Sequence, residues 1–510
     1  MSEFWQSALK NTVAISMGVL VLSLLIAIPL AWLVERSDLK GANWIRRFFT
    51  LPYVVPSYLL AVAWISLANP DVGWLNIFLE ETFGLRRFFN IYGIRGVILV
   101  EGTALSSILF LSLSSGMRMQ DPSLEESALM CGASRLKIIR LITLPLLKQH
   151  LILGMIAVFL ATLASFGVPA MIGSPARIFV LTTGIYSLFQ NGTPEAFQEA
   201  LRVSALVTVS TIALVAFSRA FFKEARINAS SKSSRPLRWK LGQYRLVLSF
   251  IVWIFLGAFI ILPLLSLFFA SLQSDVSTLS LSSLSLDSWK KVLFLGEFRR
   301  ALFNSFLSSS FAAIVILLGS LLFSLARWKA LVNRRTGLKR ILKIIEELSF
   351  AIYSLPGTVI ALLLILLVRW MGLYSFADSI LILSFAYTLK YFSLGLSSLS
   401  PTVLTVHPSL IEAAKLCGAQ SFARFKLLWL PLLKSGIMAT LVLILMPAIG
   451  ELTMTKLLAA PASQNLGVLI FELHDYADRA SSAVVACLLM ISVFVLQYLS
   501  ERISGAHVRT

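Results

Sequence analysis

Charged residues are scarce in this chain: only 14% of its 510 residues are Asp, Glu, Lys or Arg, whereas 57% are hydrophobic. A soluble protein of this length would need far more charge to cover its surface. Apolar runs of about 20 residues, each long enough to cross a bilayer as a helix, recur along the sequence. The alternating segments of about ten residues that build a membrane β-barrel are missing. The sequence therefore predicts an all-α polytopic protein that lies in a lipid bilayer.

Residues that carry chemistry are also few. The three cysteines are too scattered for a disulfide framework, and the four histidines have no metal-ligand spacing. The chain contains no Gly-Lys-Ser/Thr phosphate loop and no evident Ser/His/Asp or Cys/His constellation. Its first residues lack the pattern of a cleavable signal. We therefore expect no catalytic residue, no fixed metal site and no cofactor bound by this chain.

One polar segment occurs twice. Residues 125–148 and 411–434 are identical at 11 of 24 positions and lie 286 residues apart. The match extends to other landmarks, among them Pro56 and Pro356, with a changed offset. Two parallel copies of one five-helix unit explain this pattern. We predict a first unit over 1–222, a cytoplasmic linker over 223–245 and a second unit over 246–510, which includes one additional span near 246–270.

The basic residues predict the orientation in the membrane. The apolar runs place eleven spans, at about 11–34, 48–68, 95–116, 150–173, 202–222, 246–270, 302–326, 348–368, 379–399, 435–456 and 481–500. Connections on one side carry 30 Lys and Arg against 10 Asp and Glu, and those on the other side carry 13 against 13. The positive-inside rule makes the basic side cytoplasmic. We expect the N-terminus outside, the C-terminus inside, and a net charge of +19 that serves orientation rather than binding to nucleic acid.

The repeated segment predicts two short helices joined by a bend. Each copy has a Ser-x-x-Glu pattern typical of a capping box, a preceding proline, a glycine suited to a positive φ at the helix end, and a later proline expected to break the second helix. These residues are Pro122, Ser123, Glu126, Gly132 and Pro145 in the first copy, and Pro408, Ser409, Glu412, Gly418 and Pro431 in the second. An ordinary loop and a lipid-surface anchor are alternatives to a docking element for a cytosolic partner with two matching sites.

These residues resemble the EAA loop of ABC importer permeases. Glu412-Ala413-Ala414, Gly418 and Leu430-Pro431 match its pattern, and the first copy, with Glu126, Ala128, Gly132 and Pro145, departs only at Ser127. The resemblance implies a type I importer core with both permease halves in one chain, in a bacterial inner membrane. It also implies two copies of a cytosolic ATPase, which hold ATP and Mg and receive the loops as coupling helices, and an extracytoplasmic substrate-binding protein.

Two later stretches resemble helix breaks of fused permeases that import ferric iron. They are Ser165-Phe166-Gly167-Val168-Pro169-Ala170 and Gly450-Glu451-Leu452-Thr453, in which Thr453 replaces the usual proline. Those permeases usually have a further span before the first unit, and this chain begins where the loop after that span would lie. Permeases for thiamine, phosphonates or polyamines share the layout less closely. A secondary transporter would need no ATPase, and a structural scaffold would not need two matched docking loops.

Three ionisable residues fall inside predicted spans: Glu101, Lys390 and Glu451. Ionisable groups at membrane depth are costly and often mark a transport pathway. For each residue the alternative is a structural bond, which for Lys390 means an ion pair or a side chain that reaches the membrane surface. We expect Glu451, beside Pro447 and Gly450, to face the pathway, where a carboxylate would suit a hard cation.

Overall fold

The computed structural model describes residues 3–222, 239–273, 284–377, 379–476 and 478–503. Within these ranges the backbone is helical, with two isolated β-bridges and no strand. The predicted all-α fold is confirmed. Most of the predicted linker, residues 223–238, and both chain ends lie outside the described residues.

The chain divides into two compact units, Met1–Ser288 and Trp289–Thr510. The first unit contains α1 (Glu3–Arg36), α2 (Ala42–Val54), α3 (Ser57–Ala68), α4 (Trp74–Phe83), α5 (Ile94–Met119), α6 (Pro122–Met130), α7 (Arg135–Ile138), α8 (Leu144–Leu163), α9 (Leu181–Gln190), α10 (Pro194–Phe222), α11 (Tyr244–Leu256) and α12 (Leu262–Leu272). The short helix α13 (Asp287–Phe294) crosses the division.

The second unit repeats this order of helices. It contains α14 (Gly296–Val332), α15 (Thr336–Ser354), α16 (Gly357–Met371), α17 (Tyr374–Ala377), α18 (Ile380–Leu404), α19 (Pro408–Leu416), α20 (Ser421–Arg424), α21 (Leu430–Ile449), α22 (Thr455–Leu458), α23 (Leu466–Asp475) and α24 (Arg479–Ile503). Thus α1 corresponds to α14, α5 to α18, α6 to α19, α8 to α21 and α9 to α23. The main packing pairs are α1 with α5 and α14 with α18.

Nine helices of the described residues are long and apolar enough to cross a membrane, and two bent pairs bring the number to eleven. The bent pairs are α2 with α3, at 104°, and α15 with α16, at 109°. Each bend lies at a proline, Pro56 or Pro356, whose ring disfavours a helical conformation in the residue before it. The predicted number of about eleven spans is confirmed, and the spans predicted at 48–68 and 348–368 are sharply broken.

The additional span packs on the first unit rather than on the second. Ser266 Oγ of α12 donates to the carbonyl of Ala63 in α3, at 3.0 Å, and the Trp253 ring of α11 lies 5.8 Å from that of Phe48 in α2. The structural division after Ser288 is therefore later than the linker at which the sequence analysis placed it. The reason is that this helix finds its apolar partners on α2 and α3, which the order of elements along the chain does not reveal.

Candidate functional site

The first helix of each repeated segment begins two residues earlier than a serine cap would require. Pro122 and Pro408 are the first helical residues, a position at which the missing N–H of proline costs nothing. The backbone N–H of Ser123 donates to Asp121 Oδ1 at 3.0 Å, and that of Ser409 to His407 Nδ1 at 3.3 Å. The predicted serine capping boxes are therefore wrong, because the residue before each proline caps the helix instead.

Both helices end at a glycine with positive φ, as predicted. Gly132 has φ 76° and Gly418 has φ 74°, in the left-handed region that favours glycine. The N–H of Ala133 donates to the carbonyl of Ala128, and the N–H of Ala419 to that of Ala414, both at 3.0 Å. These bonds close a Schellman motif at the end of α6 and of α19. The small alanines of the EAA pattern therefore lie where each helix turns.

The second proline of each segment does not break a helix, contrary to the prediction. A π-helical turn, Ile139–Thr143 in the first unit and Phe425–Trp429 in the second, leads directly into α8 and α21. The wider turn displaces the carbonyls that a proline ring would otherwise contact. Pro145 and Pro431 are thus accommodated, and continuous spans run over Leu136–Leu163 and Ser421–Ile449.

Both segments present a matched set of exposed apolar side chains. Met130 and its equivalent Leu416 are each 90% exposed. Two further matched pairs of large apolar residues are also exposed, and Glu126 and Glu412 lie exposed beside them. We call these sets coupling surface 1 (Met130, Leu136, Leu141 and Glu126) and coupling surface 2 (Leu416, Phe422, Leu427 and Glu412). The sequence analysis missed the apolar members, although the repeat itself places a large apolar residue at each of these positions twice.

Helices α6 and α19 pack on different kinds of interior. In the first unit Thr143 Oγ1 donates to the buried Glu125 carboxylate, 2.8 Å away, behind α6. In the second unit the equivalents of Glu125 and Thr143 are Ile411 and Trp429, which belong to one buried apolar cluster. The Trp429 ring packs edge-on against Trp328 at 5.3 Å. The exposed residues of α6 and α19 are thus alike in the two units, whereas the buried residues behind them are polar in the first unit and apolar in the second.

At the helix break of the second unit, Glu451 is buried and fully engaged. Both its carboxylate oxygens lie 3.0 Å from the N–H of Met454, and Oε2 also accepts from the N–H and the hydroxyl of Thr455, each at 3.0 Å. The Asn465 amide donates to the Glu451 carbonyl and to the hydroxyls of Thr455 and Tyr387. Glu451 therefore caps α22 and holds the break together.

In the first unit the buried carboxylate lies on the helix α5, which faces the helix break, and not in the break itself. Glu101 of α5 occupies the position that Tyr387 has in α18, and Ser165 occupies that of Glu451. Glu101 is 1% exposed and lies near the Ser165 hydroxyl, but neither of its carboxylate oxygens has a hydrogen bond of standard geometry to the described residues. Such a group is costly at membrane depth unless a proton or a cation balances it. Among the three predicted pathway residues, Glu101 is the one with free acceptor atoms.

Lys390 lies in α18 one turn beyond Tyr387 and is half-buried, without an ion pair to any described residue. No salt bridge joins the three predicted pathway residues, although the Glu451 carboxylate is close enough to interact electrostatically with Lys390. Among the described residues no group of three or more His, Cys, Asp and Glu side chains is arranged to hold a metal ion.

Comparison with known sequences places this architecture in a family. The profile described as "binding-protein-dependent transport system inner membrane component" matches residues 23–225 and again residues 336–509. The two matches contain α6 and α19, and they cover most of the chain.

Curated relatives match this chain over its whole length or over part of it. The Fe(3+)-transport system permease protein FbpB 2 of Haemophilus influenzae is 24% identical over 505 residues, which cover 96% of this chain and 89% of that protein. The molybdenum transport system permease protein ModB of the same organism is 26% identical over 40% of this chain and 88% of its own length. The maltose/maltodextrin transport system permease protein MalF of Salmonella typhimurium is 28% identical over 40% of this chain and 43% of that protein. With two family matches on two repeated five-helix units, the chain belongs to the binding-protein-dependent inner membrane permeases and is a fused double permease of a type I ABC importer.

Proposed function

We propose that this permease imports ferric iron. The observation that carries the proposal is the similarity to an Fe(3+)-transport permease, which runs through both halves and covers 96% of the chain. The molybdenum and maltose permeases match only about 40% of it. A chain that resembles one relative from end to end shares the pairing of its two halves, and a pathway between the halves of a permease depends on that pairing.

ATP is hydrolysed by partner subunits in this proposal. Coupling surfaces 1 and 2 each receive one copy of a cytosolic ATPase, which holds ATP and Mg. Exposed side chains such as Met130 and Leu416 support this assignment, because large apolar groups beside an exposed glutamate at a membrane surface are typical of a protein contact. Their duplication supports a partner that is present in two copies.

Transport then follows alternating access. ATP closes the ATPase dimer, the two coupling helices move with it, and the spans open toward the extracytoplasmic binding protein that delivers the iron. The excess of basic residues in one set of connections supports an N-terminus outside and a C-terminus inside. Reporters fused to the two ends should give opposite answers, and two cytoplasmic reports would contradict the orientation.

Glu101 is the pathway residue that we favour for the ferric ion. Its carboxylate accepts no hydrogen bond from the described residues, and a hard cation gains most from oxygen ligands. Glu451 supports the pathway indirectly, by holding the break through Met454 and Thr455. Lys390, half-buried in α18, adds a positive charge that would oppose a cation nearby, so we place it outside the ion's immediate path.

The test is uptake of radioactive iron by cells that express the chain with its ATPase and binding protein. We expect ATP-dependent uptake that excess unlabelled Fe³⁺ abolishes and that molybdate or maltose does not affect. Uptake of labelled molybdate or maltose without uptake of iron would contradict the substrate. Gly132→Arg or Gly418→Arg should abolish uptake while the protein stays in the membrane, because a long cation then projects from a coupling surface. Full uptake by both variants would contradict the docking assignment.

A further inference from the structure

A buried cluster of charges lies behind coupling surface 1. Arg36, the last residue of α1, is 1% exposed although it carries a full guanidinium. Its Nη2 donates to the carbonyl of Met117 at 3.2 Å and to Gln120 Oε1 at 2.7 Å, both at the end of α5. Its Nη1 lies 3.4 Å from Oε2 of Glu125 in the coupling helix α6. One side chain at the end of α1 thus contacts both α5 and α6.

The cluster continues from α6 to the next span. The other oxygen of Glu125 accepts from Thr143 Oγ1, in the π-helical turn that leads into α8. Gln120 Nε2 donates to the carbonyl of the same Thr143, at 3.3 Å. The coupling helix is therefore bound to the span before it, to the span after it and, through Arg36, to α1.

The residue before Arg36 extends this connection. The Glu35 carboxylate accepts from both Arg46 in α2, at 2.9 Å, and Arg118 in α5, at 3.0 Å. Glu35 and Arg36 therefore bind the end of α1 to α2, α5 and α6. A motion of α6 would be transmitted to these helices through charge-assisted bonds, which are stronger and more directional than apolar contacts.

Stability alone does not explain this arrangement. Removal of a guanidinium and a carboxylate from water is costly, and apolar residues of similar size often replace a buried ion pair without loss of stability. The hydrogen bonding is also incomplete, since Nε and Nη1 of Arg36 and Oε2 of Glu125 have no hydrogen-bond partner among the described residues. The second unit supports the same helix with Ile411 and Trp429, and Lys329, at the position of Arg36, is exposed.

We propose that Arg36 is a positioning residue for transport, which makes α1 move with the coupling helix α6 when the ATPase closes. The proposal rests on the function proposed above, because it requires an ATPase on coupling surface 1. Its guanidinium holds Glu125 on one side and the end of α5 on the other. Without it, α6 still contacts the ATPase, but its displacement no longer reaches the first span.

The test separates coupling from folding by the double variant Arg36→Met with Glu125→Met, which removes both charges and leaves neither one buried alone. The complex is purified from cells that co-express the ATPase, and hydrolysis of ATP is compared with uptake of radioactive iron by the same cells. We expect the variant to retain the ATPase and its basal hydrolysis, whereas uptake per ATP hydrolysed falls about tenfold. Lys329→Met in the second unit is the matched control and should behave as the parent.

Two results would overturn the proposal. Uptake per ATP equal to that of the parent would mean that the ion pair is dispensable for coupling, and loss of the ATPase or of the protein itself would mean that the pair is structural. Arg36→Lys sharpens the distinction, because a single ammonium nitrogen cannot occupy both the Nη2 position beside Met117 and Gln120 and the Nη1 position beside Glu125, and the variant should remain poorly coupled. Failure of the parent chain to retain any ATPase would contradict the proposed function instead.

Discussion

Helices α6 and α19 have similar exposed surfaces, but different residues support them from the interior. Each has a Schellman end at glycine, a π-helical turn before a proline and a large apolar residue that is 90% exposed. Behind α6 lies an ionic cluster around Glu125, and behind α19 lies an apolar cluster around Trp429. Features that a partner would touch are kept in both halves, whereas features that only their own half contacts have diverged.

The same contrast recurs at other matched positions. The first unit joins α1 to α2 through Glu35 and Arg46, and the second joins α14 to α15 through Arg327 and Glu346, at the same distance of 2.9 Å. Glu346 stands at the position of Arg46, and Arg327 lies one residue before the equivalent of Glu35, so the charges are exchanged. The first unit carries its buried carboxylate, Glu101, on the continuous helix α5, whereas the second unit carries Glu451 in the helix break. A buried charged group needs a partner of opposite charge, but either helix can supply either charge. The two halves can therefore differ in which helix carries the acid and which the base.

The largest effect should come from Trp429→Ala. Truncation of a buried tryptophan leaves a cavity and usually costs about 3–5 kcal/mol. The matched change Thr143→Ala in the first unit removes one hydrogen bond to a buried carboxylate and should cost about 1–3 kcal/mol. Thermal unfolding of the purified complex measures both. A larger loss for Thr143→Ala would show that the ionic support is the stronger of the two.

The two carboxylates at the helix breaks should respond in opposite ways to an amide. Glu451→Gln places an NH₂ group against the N–H donors of Met454 and Thr455 and should lower stability by about 1–3 kcal/mol, with uptake reduced in proportion. Glu101→Gln breaks no hydrogen bond to the described residues, so it should leave stability unchanged and reduce iron uptake. Normal uptake by a stable Glu101→Gln protein would remove Glu101 from the pathway.

Low pH should lower the stability of the second unit through His474, whose equivalent in the first unit is not a histidine. Burial and the positive charge of Arg479 lower the pKa of His474 to about 4, and its equivalent in the first unit is Phe189. The folded state keeps the neutral imidazole while the unfolded state protonates with the ordinary pKa of 6.5, so stability falls as the pH drops from 6.5 toward 4. At pH 5 the loss should be about 2 kcal/mol.

His474→Phe, the residue of the other half, should remove this pH dependence. Unfolding temperatures of the parent and the variant between pH 7 and pH 5 measure the difference. Parallel pH profiles for the two proteins would contradict the assignment.

The smallest losses of stability should come from Gly132→Ala and Gly418→Ala, and the two losses should be equal. Gly132→Ala and Gly418→Ala each place a side chain at a positive φ, which costs about 1–2 kcal/mol, and no other atom lies within 4 Å of the added Cβ. Gly296→Ala is the control, because its Cβ would also meet open space but its backbone needs no positive φ. Unequal losses for the first two variants would show that the two glycine ends are not equivalent.

The sequence by itself determined the membrane class, the number of spans, the internal repeat and the positive-φ glycines. These features depend on local composition and spacing: an apolar run of about 20 residues needs a bilayer wherever it lies, and a glycine after a capped helix needs no distant partner. The two EAA patterns also predicted the family that the later comparison confirmed.

Only the tertiary structure decided what each polar residue does. The sequence shows Glu101 and Glu451 as two similar carboxylates in apolar surroundings, yet one accepts no hydrogen bond from the described residues and the other caps a short helix. It shows Arg36 as one more basic residue beside a span, although that side chain is buried between three helices. It also gives no reason for α12 to pack on α3. The physical reason is that the energy of a buried polar or apolar group depends on the partner that folding brings to it, and those partners lie up to 209 residues away in the chain.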